Sequence, residues 1–147
     1  MPLRRLILLA LLLVSAAGVL SACGSESVDV SSNASASVQN GAKLFSQRCS
    51  GCHTFQPAGA EGSATKVSDR ERVDGPNFNV RKVCYDNALY ALRNGGYSGA
   101  IMPENIVVGQ DAKDVAAFID EFSGKSASNP ASPSGPAVTC PPPPAGS

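Results

Sequence analysis

The apolar positions of this chain fall into four patterns along its length. From Leu6 to Leu20 they are nearly continuous, broken only by small residues such as Ser15 and Gly18 and preceded by Arg4 and Arg5. A basic start followed by an apolar run predicts an export leader over residues 1–22. A membrane span would need about 20 uninterrupted apolar residues. From Gly24 to Ser37, serine, asparagine and glycine dominate, which predicts a flexible tether over residues 23–37. Such a tether has a typical end-to-end distance of about 20 Å and stretches to roughly 50 Å. From Val38 onward the spacing becomes helical. Val38, Ala42, Phe45 and Cys49 predict a helix over 38–49, with Ser37 as its N-cap. Val80, Val83, Cys84, Ala88, Ala91 and Leu92 predict a second over 80–94, stopped by Gly95-Gly96. Val115, Phe118, Ile119 and Phe122 predict a third over 111–122, with Asp111 at its N-cap. Residues 38–123 are thus the one stretch able to build a core. The Ser-, Pro- and Ala-rich residues 124–147, which include Pro141 to Pro144, read as a disordered tail.

Where the first predicted helix ends, Cys49-Ser50-Gly51-Cys52-His53 supplies chemistry. Two thiols three positions apart can each add to a vinyl group of one haem, and the adjacent histidine becomes an axial ligand of the iron. A redox dithiol would need a βαβ context, and a structural zinc site would need a second ligand pair. Neither accompanies this motif, and His53 is the only histidine in the chain. At 147 residues the chain holds one domain with appendages. Three short helices bury little surface on their own, and a covalently held haem c would supply the missing core.

Charge adds only exclusions. Lysine and arginine number 12 and aspartate and glutamate 12, so removal of the leader with Arg4 and Arg5 leaves the remainder near −2. No basic excess favours nucleic acid. Leu20-Ser21-Ala22-Cys23 resembles the bacterial lipobox, which implies acylation of Cys23, for instance by palmitate, and an exported, lipid-anchored protein facing the periplasm or cell exterior. An oxidising compartment goes with export. Of five cysteines, Cys84 and Cys140 then remain, and an even remainder in an exported protein suggests a disulfide. The alternative is a buried Cys84 thiol and a free Cys140.

The second axial ligand is expected at Met102, the only methionine besides the initiator, in Gly99-Ala100-Ile101-Met102-Pro103. A thioether is a soft ligand, and a His/Met pair raises the reduction potential. A core gap-filler is the alternative role, but this methionine lies in a Gly/Pro loop with no helical stripe.

With these residues in place, the stretch from Val38 to Phe122 resembles a small class I, monohaem cytochrome c. Gly41 and Phe45 stand before Cys49 at the spacing of that family's first helix, and Val115 and Phe118 where its last helix packs across the first, with Gly41 giving close approach. Gly75-Pro76-Asn77-Phe78 resembles the family's G-P-N-L segment, which implies that the Pro76 carbonyl accepts a hydrogen bond from His53. The resemblance implies an all-α fold wrapped around one haem. Two departures stand out. The loop from Thr54 to Asp74, with Lys66, Arg70 and Arg72, is longer than in the shortest members and reads as solvated. No tryptophan is present to meet a propionate; Tyr97 is the candidate for that contact or for one to the Met102 sulfur, with a plain loop aromatic as the alternative.

An iron held by both His53 and Met102 has no open position. The expectation is therefore an electron carrier and not an enzyme, with membrane and redox-protein partners and no small-molecule substrate. The alternative is a fixed haem subunit of one dehydrogenase or oxidase complex. A sensor or enzyme would require Met102 to leave the iron.

Overall fold

A computed structural model of the chain describes residues 28–97, 101–125 and 138–144. The expected leader and Cys23 lie outside the described residues. Of the stretch read as a tether, residues 28–35 run along the domain: Asp29 N–H donates to the Pro57 carbonyl at 2.9 Å, and Val30 and Ala34 pack against the core.

Helix α1 (Ala36–Arg48) starts two residues before the predicted position, because Ser35 rather than Ser37 caps it. The Ser35 hydroxyl accepts the Val38 N–H at 3.2 Å and satisfies one of the free donors of the first turn. Ser37 is then released to bond elsewhere. Helix α2 (Tyr85–Asn94) starts five residues later than its apolar spacing suggests. Val80 is exposed, and residues 81–84 are drawn straight against the end of the last helix. Gly95, with φ 66°, closes α2 through a bond to the Ala91 carbonyl, as predicted for the Gly-Gly stop. Helix α3 (Gly109–Phe122) has Val108 at its N-cap, and Asp111 sits inside its first turn instead of capping it.

Helices α1 and α3 form the main helix contact, and α2 packs on α3. The crossing point is Gly41. A Cβ there would stand 2.0 Å from the Asp114 carbonyl oxygen and 2.9 Å from the Phe118 Cβ, so the two backbones touch. Beside that contact the buried Asp114 carboxylate accepts three hydrogen bonds: from Ser37 Oγ at 2.6 Å, Asn40 Nδ2 at 2.7 Å and Gln110 Nε2 at 2.9 Å. Burial raises its pKa, but these donors, aided by Lys113, outweigh burial and hold it below the ordinary value.

All five phenylalanines join in one cluster under the crossing. Phe45 is its hub, with edge-on contacts to Phe55 at 5.2 Å, Phe78 at 5.7 Å and Phe118 at 5.8 Å. The fold is helical, with one addition that the apolar pattern was too short to reveal. β1 (Thr54–Phe55) pairs antiparallel with β2 (Ala60–Glu61), and Gly59 turns the chain between them with φ 62°.

Past α3 the chain closes on the segment before α2. The Ser123 hydroxyl accepts the Val83 N–H at 3.0 Å and donates to the Val83 carbonyl, while Gly124 N–H donates to the Phe78 carbonyl at 2.9 Å. Lys82 pairs with the Asp120 carboxylate at 3.1 Å and also donates to its backbone carbonyl. Cys84 and Cys140 are joined in a disulfide with their Cα atoms 5.3 Å apart. Of the expected tail, residues 138–144 are therefore described, held at the foot of α2.

The crossing makes two outcomes measurable. Gly41→Ala forces the helices apart and lowers stability by about 2–3 kcal/mol in a denaturant titration. Asp114→Asn leaves donors of Ser37, Asn40 or Gln110 without an acceptor and loses about 1–3 kcal/mol at neutral pH. Because the folded-state pKa of Asp114 is depressed, its contribution is complete above the ordinary value of 3.8 and is lost as pH falls through the folded value. The gap between wild type and variant, measured as unfolding free energy against pH, therefore narrows in acid.

Candidate functional site

The Cys49–His53 segment leaves the C-terminus of α1 as a tight turn. Cys49 N–H still bonds the Phe45 carbonyl at 2.8 Å, while Cys52 and His53 N–H both point to the Cys49 carbonyl, at 3.2 and 3.0 Å. Ser50 Oγ closes back on the Ser46 carbonyl at 2.6 Å. The helix thus continues in geometry just far enough to hold both thiols at its end. Cys49 is buried and Cys52 exposed, and neither is in a disulfide. Burial, with the Cys52 thiol beside it, pushes the Cys49 thiol up to about 12.

Two glycines press on this turn from outside. A Cβ at Gly62 would lie 2.1 Å from the Ser50 carbonyl oxygen and 2.7 Å from the Cys52 nitrogen; its own N–H donates to the His53 carbonyl at 3.1 Å. A Cβ at Gly75 would lie 2.3 Å from His53 Cε1 and 2.5 Å from Nδ1, and Gly75 N–H donates to the Cys52 carbonyl at 2.7 Å. Only residues without a side chain allow both approaches. The loop between them is anchored by Thr54, whose hydroxyl donates to the Ser63 carbonyl at 2.8 Å and accepts the Ser63 N–H at 3.0 Å. Asp74 accepts the Glu71 and Ala64 N–H groups at 3.0 and 3.1 Å, which together hold its carboxyl below the ordinary range.

The His53 ring is held on three sides. Gly75 lies against its edge, and Phe78 stacks on its face with centroids 4.9 Å apart and planes 20° from parallel. Nδ1 meets the Pro76 carbonyl at 3.1 Å. A carbonyl can only accept, so Nδ1 carries the proton and Nε2 keeps its lone pair. Burial lowers the ring's pKa, more than the Pro76 bond raises it, and so favours the neutral, ligating form. No described residue bonds Nε2. A half-buried neutral imidazole with Nδ1 bonded to a carbonyl is the arrangement of a metal-bound histidine. Two unpaired thiols at the next turn complete the donor set for a covalently attached haem, and the residues present fit that group.

A family model for cytochrome c matches residues 38–123, more than half of the chain. The chain belongs to the cytochrome c family. Its prosthetic group is covalently bound haem c, and the family's business is haem-based electron transfer with redox proteins. No curated protein matches this cytochrome.

Met102 comes after the α2 stop: Gly95 approaches its carbonyl so closely that a Cβ would sit 2.7 Å away, and the Met102 side chain is half-buried against the core. Gly99 and Ala100 lie outside the described residues. Asn105, with φ 53°, ties this loop back through its N–H to the Leu92 carbonyl at 2.9 Å. Tyr97 is exposed. Its hydroxyl donates to the Asn87 carbonyl at 2.9 Å and its ring stacks on Tyr90 at 5.2 Å, so the structure shows it bracing α2 as a surface aromatic. Lys66, Arg70 and Arg72 are exposed on the loop, as expected for solvated cations.

Sequence reasoning missed Gly62, the stacking of Phe78 on His53 and the Asp114 acceptor. Glycine in a polar loop carries no sign of what passes over it. An aspartate inside an apolar stripe was the one visible hint of a buried acceptor.

Gly75→Ala drives a methyl group into the imidazole, so the ring must turn away from Pro76. The expected result is a loss of about 1–3 kcal/mol in stability and a lower haem-to-protein ratio in the purified protein, read by pyridine haemochrome assay.

Proposed function

We propose that this cytochrome c is a class I, monohaem electron carrier anchored by a lipid on Cys23 and exported to the outer face of the bacterial membrane, where it passes single electrons between respiratory redox partners. The observation that carries the reading is the His53 imidazole, fixed by Pro76, Gly75 and Phe78 with Nε2 left for a metal, one residue from the free Cys52 thiol.

Haem c supplies one-electron exchange between ferric and ferrous iron. The chain's own residues set the conditions for it. Cys49 and Cys52 would hold the group through thioether links, so that it would not dissociate. His53 presents a ring that does not need to reorient between oxidation states, because its far nitrogen is already bonded. Met102 would be the second residue to hold the iron, and its soft thioether would favour the reduced state. With His53 and Met102 both engaged, no position would be left for a substrate, which supports a carrier over an enzyme.

Among the described residues no helix is long and apolar enough to cross a membrane. Attachment in this reading rests on the acylated Cys23, and globomycin treatment of cells, with mass analysis of the product, reads whether that cysteine is acylated.

An optical spectrum with a potential titration tests the ligand pair. Reduced wild type is low-spin and binds no carbon monoxide at neutral pH. Met102→Ala binds it, and its midpoint potential falls by on the order of 0.1 V. Carbon monoxide binding by the wild type would overturn the carrier reading in favour of a sensor or enzyme.

A further inference from the structure

The Cys84–Cys140 disulfide joins the domain to a segment beyond the family match, which ends at residue 123. The domain has little need of that link. Residues 78–83 are already closed against 120–124 by the two Ser123–Val83 bonds, the Gly124–Phe78 bond and the Lys82–Asp120 pair. The disulfide adds a fixed position for the residues after Cys140, namely Pro141 to Pro144, all exposed.

Four consecutive prolines have fixed φ and no N–H. They join neither helix nor sheet, and four prolines in a row favour a short polyproline II rod with pyrrolidine rings at regular intervals. The disulfide fixes where the rod begins, since Cys140 immediately precedes Pro141. We propose that Pro141–Pro144, latched to the start of α2 by the disulfide, is a docking handle for a redox partner protein whose surface carries an aromatic-lined groove. This role rests on the protein being an electron carrier.

Other roles fit less well. Cys84, Asp120 and Cys140 bring possible ligand atoms within 4.8 Å of one another, but the two sulfurs are bonded together and are not offered to a metal. Residues 138–144 carry no charge, so they offer nothing to anionic lipid headgroups or to nucleic acid. A proline rod does suit an aromatic groove, whose rings stack on pyrrolidine faces, and its low entropy in the free state leaves little to be ordered on binding. Latching strengthens that advantage by fixing where the rod begins. A groove lined by Arg81, Lys82, Val83, Asn87 and Tyr97 includes the residues that precede Cys84 in the chain, and its Arg81 and Tyr97 are exposed. Both residue types are enriched at protein interfaces.

Two variants of the full holoprotein test this with washed respiratory membranes of the source organism, the haem being followed optically. The first replaces the rod and keeps the latch: Pro141→Ser, Pro142→Gly, Pro143→Ser and Pro144→Gly together. The second keeps the rod and frees it: Cys84→Ser with Cys140→Ser. The first is expected to exchange electrons with the membranes about tenfold more slowly, and the second several-fold more slowly. The proline variant keeps its midpoint potential, its thermal unfolding and its rate of reduction by ascorbate, which separates docking from damage to the haem domain. A proline variant at the wild-type membrane rate overturns the docking handle; a serine variant at that rate overturns the latch's part in it. If the membranes neither reduce nor oxidise wild type, the carrier reading fails and the handle falls with it.

Discussion

The contact between the backbones of α1 and α3 at Gly41 is the constraint on which the rest of this molecule depends. With no side chain at Gly41, the Asp114 carbonyl comes to within 2.0 Å of where a Cβ would be. That closeness lets Asp114 reach Ser37 and Asn40 on the facing helix, and it brings Phe118 onto Phe45. Phe45 in turn sits one helical turn before Cys49, and its ring lies 6.1 Å from the His53 imidazole. The crossing thus fixes the aromatic floor on which the histidine rests. A wider crossing would loosen the floor and the ligand together, because interiors at this density do not deform gradually.

The histidine illustrates how a small domain orients a metal ligand through its own backbone and side chains. Pro76 determines which nitrogen carries the proton, Phe78 determines the plane of the ring, and Gly75 permits the chain to pass along its edge. Each acts from the same short segment, 75–78, which is pinned to β1 and the turn before it by the Phe78–Thr54 and Gly75–Cys52 backbone bonds. Orientation of the ligand is therefore a property of the backbone. For an electron carrier this matters, since a ligand that must reorient between oxidation states slows exchange.

The segments around α2 show the opposite economy. The chain before it is held by side-chain and backbone bonds to the end of α3, and then a disulfide is laid over the same junction. Two closures at one place imply that they hold different things: the first completes the haem domain, and the second positions the proline-rich end of the chain. A covalent link is suited to that second task, because an exposed proline-rich segment buries too little apolar surface to hold itself in place.

Helix existence, the attachment motif and its histidine were legible in the sequence because each depends on spacing along the chain: 3.6-residue periodicity, C-x-x-C-H, a Gly-Gly stop. The Pro76 contact was reachable only through resemblance to a family, since nothing local to Gly75-Pro76 names a histidine 23 residues earlier. Helix ends were less legible. Ser35 and Ser37 are equal as caps until Asp114 arrives from α3 and takes Ser37, and α2 starts at Tyr85 only because Ser123 holds Val83 in an extended segment. The close approach at Gly41 was likewise reachable only through that resemblance, and those at Gly62 and Gly75 could not be read at all, because a glycine records no partner. The sequence by itself determined which groups were available to hold a haem. The tertiary structure decided which way they face, because hydrogen-bond direction and steric contact depend on atoms brought together from distant parts of the chain.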